Sequence, residues 1–174
     1  MTRCSPIIAA AAVCALALAA CGSSSSGGIV LAPSSGPSQV STPTTPKPPP
    51  ALATKPVVHV DPSSCSTKTL IKQDLVPGTG TMAQAGQTVT VNYVGVLCSN
   101  GKEFDSSWKR GQPFSTPLSA GSVIPGWVEG IPGMRVGGRR QLTIPANLAY
   151  GKNGTQGIPP NSTLVFVVDL LQVS

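Results

Sequence analysis

The chain has 174 residues, only 10% of which are charged, and a formal net charge of +6. A typical globular domain has about 25% charged residues, so we expect one domain together with a long apolar leader and an uncharged linker. The positive residues are scattered, apart from Lys109-Arg110 and Arg139-Arg140. Because nucleic-acid-binding proteins carry a denser basic stripe, no nucleic-acid partner is expected.

Residues 1–20 have the features of a lipoprotein signal peptide. Arg3 gives a short positive region, and about fourteen apolar residues follow at Ile7–Ala20. This run matches a signal-peptide core and is too short to span a bilayer. It ends in Leu-Ala-Ala-Cys-Gly at 18–22, which resembles the bacterial lipobox. The resemblance implies a lipidated Cys21 and a protein anchored to the cell membrane on its extracytoplasmic side; an ordinary secretory peptide is the alternative.

Residues 21–60 are predicted to form a disordered tether that begins at the lipidated Cys. The segment is rich in Ser, Gly, Thr and Pro, and its only charged residues are Lys47 and Lys55. It cannot bury enough apolar surface to offset the conformational entropy lost on folding. We expect a spacer between membrane and domain. Pro-rich segments also serve as ligands for partner modules, which is the alternative.

Two of the five cysteines, Cys65 and Cys98, lie in the domain that follows the tether. The others would leave with the leader or carry the lipid. Since exported proteins meet an oxidising environment, we expect Cys65 and Cys98 to form a disulfide, with two free thiols as the alternative. Two Cys and the single His59 do not make a tetrahedral set, so no metal site is expected.

Residues 61–174 are predicted to be one α+β domain. Only Val123–Ile131 looks helical, with Pro125 in its first turn. Three segments combine period-two alternation with β-branched residues, as half-buried strands do: Gln87–Val96, Arg139–Ile144 and Thr163–Val173. The pattern predicts an antiparallel sheet of four to six strands with one short helix packed on it.

No hydrolase or transferase site is visible in this domain. Its acidic residues have neither paired-carboxylate nor metal-ligand spacing, and no Gly-rich phosphate loop opens a helix. A reaction that needs neither a nucleophile nor an acid–base pair is therefore favoured. The domain contains seven aromatic residues, whose simplest role would be to fill the core: Tyr93, Phe104, Trp108, Phe114, Trp127, Tyr150 and Phe166.

Short runs around these aromatic residues come in one order and at one spacing: Phe104–Ser107, Pro113-Phe114, Val123–Gly130, Met134–Gly137, Ala149–Gly151, Ile158–Pro160 and Thr163–Phe166. Together they resemble the FKBP family of peptidyl-prolyl cis/trans isomerases over about residues 69–173. The resemblance implies a twisted antiparallel sheet wrapped around one short helix, a monomer without cofactor, and a pocket that binds X-Pro peptides.

The resemblance also implies roles for individual residues. Trp127 would be the pocket floor, with aromatic walls around it. The Ile124 N–H and the Tyr150 hydroxyl would donate to bound carbonyls, and Trp108 would be left over as an exposed or rim residue. The full set of implied pocket residues is Tyr93, Phe104, Asp105, Phe114, Val123, Ile124, Trp127, Tyr150 and Phe166.

Two departures from the family pattern bear on the macrolides tacrolimus and rapamycin, which the same resemblance makes candidate ligands. Thr116 stands where human-type members carry another wall Phe, so we expect a more open or more polar wall. The loop Gly151–Pro160 is one residue shorter than in those members and has a single Ile, Ile158, where they have two.

We therefore expect an enzyme, a lipid-anchored isomerase that assists the folding of exported proteins containing X-Pro bonds. The main alternative is a module that holds Pro-containing segments in the same pocket without turnover. A structural cell-envelope protein is a third class, which would not need the pocket residues.

Overall fold

The computed structural model describes residues 50–174; the leader, Cys21 and most of the predicted tether lie outside them. Six strands form one sheet: β1 (Ile71–Val76), β2 (Thr88–Leu97), β3 (Glu103–Ser106), β4 (Phe114–Pro117), β5 (Arg139–Ile144) and β6 (Leu164–Val173). The α-helices are short: α1 (Ser107–Arg110) and α2 (Pro125–Gly130). Single 3₁₀ turns occupy Pro50–Leu52, Pro62–Ser66 and Ala146–Leu148. The predicted antiparallel sheet with a short helix is confirmed, and α1 is an addition to it. No helix within residues 50–174 is long and apolar enough to cross a membrane.

The sheet is built around the pairing of β2 with β6. Its strand order is β1-β5-β6-β2-β3, and β4 also pairs with β2, beside β3. The β2–β6 register runs from Val89↔Val173 to Leu97↔Leu164 with one bulge, and all pairings are antiparallel. Most residues of these two strands are buried, so the pair forms the centre of the domain.

Helix α2 packs on one face of the sheet, which we call the inner face. Leu142 and Ile144 of β5 lie beneath the helix in the main core, together with Ile131 and Trp127. A Cβ atom added at Gly126 would overlap the side chain of Ile144. Only glycine therefore lets α2 come this close to β5, and the close approach fixes where Trp127 enters the core.

The opposite, outer face of the sheet is also apolar. Val94, Val96, Cys98 and Val165 are buried there in a second cluster. Val58, Val60, Cys65 and Trp108 pack against it from outside. The outer face is thus covered by the chain that precedes the sheet and by a residue of α1.

Residues 50–60, which we call the strap, lie along this outer face. Leu52 is only 1% exposed. The Arg139 guanidinium donates to the Thr54 carbonyl at 3.0 Å, and the Gln141 amide donates to the His59 carbonyl at 3.1 Å. Residues 50–60, which composition predicts to be tether, therefore pack on the domain. The segment is polar on average, but its few buried apolar side chains are enough to hold it on the domain.

A buried ion pair lies under the strap. The Asp169 carboxylate is fully buried, and Arg139 binds it through Nε at 2.5 Å and Nη2 at 2.8 Å. Burial raises the pKa of Asp169, while Arg139 opposes that shift. The same guanidinium holds the strap, so the pair ties residues 50–60 to the centre of the sheet.

Two predictions from the sequence concern the outer face: the disulfide and the position of Trp108. Cys65 and Cys98 form the predicted disulfide, which joins the 3₁₀ turn Pro62–Ser66 to the end of β2. A cross-link between residues 33 positions apart contributes about 2–4 kcal/mol to the free energy of unfolding. Trp108 is not a pocket-rim residue: it packs into the outer-face cluster, with its indole nitrogen buried and without a partner among the described residues.

We expect Leu52→Ala to lower the free energy of unfolding by about 2 kcal/mol, the lower end of the range for buried leucines, because the end of the strap can undock. Val57→Ala is the matched control, since Val57 is 76% exposed and its truncation should change stability by less than about 0.5 kcal/mol. Denaturant unfolding of both variants measures this. Equal stabilities would show that the strap does not pack on the sheet.

Candidate active site

A cavity of about 200 Å³ opens on the inner face between α2 and the aromatic side chains of the sheet. This volume is below the roughly 300–1,000 Å³ of sites for drug-sized ligands, so it suits one ring-sized group. The lining consists of the nine residues predicted from sequence, together with Ser122: Tyr93, Phe104, Asp105, Phe114, Val123, Ile124, Trp127, Tyr150 and Phe166. Residues from β2, β3, β4, β6, α2 and two loops are thus brought together at one place.

Trp127 is the centre of the aromatic lining. Its ring is 5.1 Å from that of Tyr93 and 5.5 Å from that of Phe166, at interplanar angles of 85° and 83°. Phe104 meets Phe166 in the same way, at 5.5 Å and 86°. Edge-to-face pairs of this kind contribute about 0.5–1.5 kcal/mol each beyond their buried area. The rings therefore hold one another in fixed orientations.

Gly95 makes room for this arrangement. It lies in β2 opposite Phe166. A Cβ atom at Gly95 would lie 2.7 Å from the Phe166 ring and 2.8 Å from the Phe104 ring, closer than real contacts allow. The strand pattern does not identify Gly95 as a site residue. Its contribution is the lack of a side chain, which leaves room for the two rings.

Two polar groups predicted as donors stand at the cavity. Ile124 directly precedes α2, and its carbonyl accepts the Trp127 N–H at 2.9 Å. The N–H of a residue in that position has no acceptor within the helix. Tyr150 is 39% exposed, and burial of its ring, with the charge of Asp105, raises the pKa of its hydroxyl. Tyr150 therefore stays a neutral donor at the rim.

Asp105 belongs to a three-residue polar network. One carboxylate oxygen accepts the Tyr93 hydroxyl, and the other accepts Arg110 Nη1 at 2.5 Å and the Ser106 N–H at 2.8 Å. Arg110 Nη2 donates to the Tyr93 oxygen at 2.8 Å, and the guanidinium lies 5.3 Å from the centre of the Tyr93 ring. One Asp105 oxygen thus holds Tyr93 directly, and the other holds Arg110, which also binds Tyr93; this favours a role in orientation rather than in proton transfer.

Arg110 and Ser122 are residues of the site region that sequence reasoning missed. Arg110 ends α1, whose turn brings its side chain back over Tyr93. Its only signal in the sequence is its position five residues after Asp105. Ser122 directly precedes the predicted pair Val123-Ile124 and lines the cavity, but nothing in its local pattern indicates this.

The two departures from the family pattern lie outside the cavity lining. Thr116 is 4% exposed, and its hydroxyl donates to the Pro117 carbonyl at 3.4 Å. It therefore adds no polar group to the cavity surface. Ile158 is 5% exposed and packs in the main core.

Within residues 50–174, no group of three or more His, Cys, Asp or Glu side chains is placed to hold a metal ion.

Comparison with known proteins gives consistent results. The family model described as FKBP-type peptidyl-prolyl cis-trans isomerase matches residues 79–171. An FK506-binding protein of Streptomyces anulatus is 57% identical over 103 residues, which are 58% of this chain and 83% of the relative. The crystal structure of AtFKBP13 matches with a TM-score of 0.57 at 41% identity, over 64% of this chain and 98% of that one. FkpA from Escherichia coli matches with a TM-score of 0.57 at 45% identity, over 71% of this chain and 55% of that one.

The network around Tyr93 predicts an unusual titration. Burial and the hydrogen bond to Asp105 raise the pKa of Tyr93 to about 12, whereas a tyrosine in the unfolded chain titrates near 10. The neutral form is favoured in the folded state, so this contribution to stability is complete below pH 10 and is lost as the pH rises through 12. Tyrosinate absorbance of wild type minus that of Tyr93→Phe measures the transition. A difference curve centred near pH 10 would contradict the network.

Proposed function

The chain belongs to the FKBP-type peptidyl-prolyl cis-trans isomerases, and we propose that its substrates are X-Pro bonds of exported proteins that fold beside the outer face of the cell membrane. The observation that carries the isomerase mechanism is the ring-sized aromatic cavity, in which all nine predicted residues meet. The export part of the proposal is supported by the leader and by the disulfide.

The reaction is a rotation, and the cavity is suited to its transition state. Amide resonance sets a barrier of about 18–20 kcal/mol to rotation about the peptide bond. In the twisted transition state this resonance is lost, the carbonyl becomes less polar and the prolyl nitrogen becomes pyramidal. A pocket that binds the twisted form better than either planar form lowers the barrier. The fixed rings around Trp127 provide a surface of constant shape for that discrimination.

The polar groups of the cavity position the peptide. The Ile124 N–H and the Tyr150 hydroxyl donate to carbonyls on either side of the proline. Asp105 and Arg110 hold the Tyr93 ring through the hydrogen bonds described above. No step requires a residue to change its protonation state, which distinguishes this mechanism from general acid–base catalysis.

We expect Tyr150→Phe to lower kcat/KM for an X-Pro peptide about two- to tenfold, the equivalent of one hydrogen bond. Trp127→Ala should lower it more, because the cavity floor is removed. The wild-type rate should stay flat between pH 6 and 8, since the pKa values of both cavity tyrosines lie above their usual range. A protease-coupled assay measures these rates.

Circular dichroism of each variant is the control for folding. A bell-shaped pH profile centred between 6 and 8 would contradict the mechanism. A folded wild-type protein with no rate above background would instead make the chain a module that holds Pro-containing segments without turnover.

The proposed location rests on two features. Residues 1–22 combine a short apolar run with a lipobox-like end at Cys21. The Cys65–Cys98 disulfide suits an oxidising compartment. The strap itself lies on the outer face of the sheet, opposite the cavity.

We expect Cys21→Ser to move the protein from the membrane fraction to the soluble extracytoplasmic fraction, because one or more acyl chains are lost. Cys14→Ser is the matched control, since Cys14 lies in the leader that is removed, and its fractionation should equal that of wild type. Fractionation and the intact mass of the mature protein measure the outcome. A wild-type mature protein whose mass shows no lipid would contradict the proposed lipid anchor.

A further inference from the structure

A second, larger concavity of about 590 Å³ is lined in part by the residues that follow Tyr150 in the chain. Tyr150 lines the cavity, and the next two residues, Gly151 and Lys152, line this second site. We call it the lysine groove. Its remaining lining comes from the segment that begins at Cys65, from the 3₁₀ turn before Tyr150 and from the chain just before β6: Cys65, Ser66, Thr67, Lys68, Pro145, Ala146, Asn147, Asn161 and Thr163.

The charge of the lysine groove is one-sided. Its lining contains Lys68 and Lys152, hydroxyl and amide groups, and no carboxylate. Of the eight other Lys and Arg residues in residues 50–174, Lys72, Lys102 and Arg135 form no ion pair, while five do: Lys55 and Lys109 with Glu103, Arg110 with Asp105, Arg139 with Asp169, and Arg140 with Asp74. Lys68 and Lys152 form no ion pair within this part of the chain, and both are exposed. The groove is therefore a place that favours a negative ligand.

The walls of the groove are held by bonds within the domain. The Thr163 hydroxyl donates to the Cys65 carbonyl at 2.8 Å, and Cys65 is itself cross-linked to β2. The Gly151 N–H donates to the Ala146 carbonyl at 2.8 Å, and the Gly151 carbonyl accepts the Asn161 N–H at 2.9 Å. A site whose shape exists before binding loses less entropy when the ligand arrives.

We propose that the lysine groove is an extended subsite, which binds acidic side chains of the polypeptide whose proline occupies the cavity. The inference rests on the proposed isomerase function of that cavity. An extended peptide advances about 3.3 Å per residue. Residues a few positions from the proline can therefore cross Tyr150 and Gly151 and place a carboxylate beside Lys68 and Lys152.

Anionic lipid headgroups share this chemistry, but the geometry favours a peptide. Lipid-binding surfaces present clusters of about four to eight basic residues, whereas the groove has two lysines in a concavity. Gly151 and Lys152 of the groove also follow Tyr150 of the cavity directly in the chain, so the groove lies within a few residues' length of a proline bound in the cavity.

The test compares peptides that differ in one charge. Each contains one X-Pro bond and either Glu or Gln, placed two, three or four residues before or after the proline. At low ionic strength we expect kcat/KM to be about two- to fivefold higher for Glu than for Gln on one side of the proline, the range of an exposed ion pair. The preference should disappear in 1 M salt, where charges are screened beyond about 3 Å. Magnetisation-exchange NMR gives the rates without a coupling protease.

Variants assign the preference to the groove. The variants are made in the mature chain with Cys21→Ser as the common background. Lys68→Gln and Lys152→Gln should each reduce the ratio of kcat/KM for the Glu peptide to that for the Gln peptide. The double variant should bring this ratio to about one. Turnover of the Gln peptide should stay unchanged. Lys102→Gln is the matched control, because Lys102 is exposed and lies outside both the cavity and the lysine groove.

The failing outcomes differ from one another. Normal turnover with a Glu/Gln ratio of one at every position overturns the subsite and leaves the isomerase function standing. Absence of turnover for all peptides overturns the function, and the subsite with it. Binding of the same chain to phosphatidylglycerol vesicles that is lost in the double variant, without any peptide preference, would assign the groove to lipid headgroups and overturn the proposal.

Discussion

Trp127 lies where helix α2, the central strands and the cavity meet, and the edge-to-face contacts of its indole ring set the geometry of the site. The ring can take this position only because α2 approaches β5 closely at Gly126, and because Tyr93 and Phe166 present their rings from neighbouring strands. Aromatic pairs of this kind have preferred geometries rather than a continuous range. The shape of the cavity is consequently set by core packing, and a substitution in the core would change the positions of the rings that line the cavity.

The polar part of the site depends on the same arrangement. Tyr93 belongs to the aromatic lining through its ring and to the network with Asp105 and Arg110 through its hydroxyl. Because the ring is fixed from one side by packing and from the other by hydrogen bonds, it has little freedom to rotate. The protein needs no ionising catalyst under this scheme; it needs side chains that do not move while the substrate twists.

The sequence predicted the fold and the site best where a local residue pattern by itself determines the position of a side chain. Strand alternation identified β2, β5 and β6, and the collinear runs identified nine of the ten cavity residues. Arg110 was missed because its contact with Tyr93 depends on how α1 turns. Trp108 was misplaced because aromatic character does not reveal which face of a sheet a ring will join. Composition predicts a tether over the strap because an average over forty residues conceals Leu52, which is buried, and Val58, which packs on the outer-face cluster.

The outer-face strap also has a mechanical meaning. A force applied to the chain from its N-terminal side would first peel residues 50–60 from the sheet, since their contacts break one after another. The load would then reach Cys65, where a covalent bond passes it to the end of β2. There it would act on the long ladder between β2 and β6, which shares the strain among many hydrogen bonds. Tension on the N-terminal side would therefore act first on the strap and the disulfide, on the face of the sheet opposite the aromatic rings.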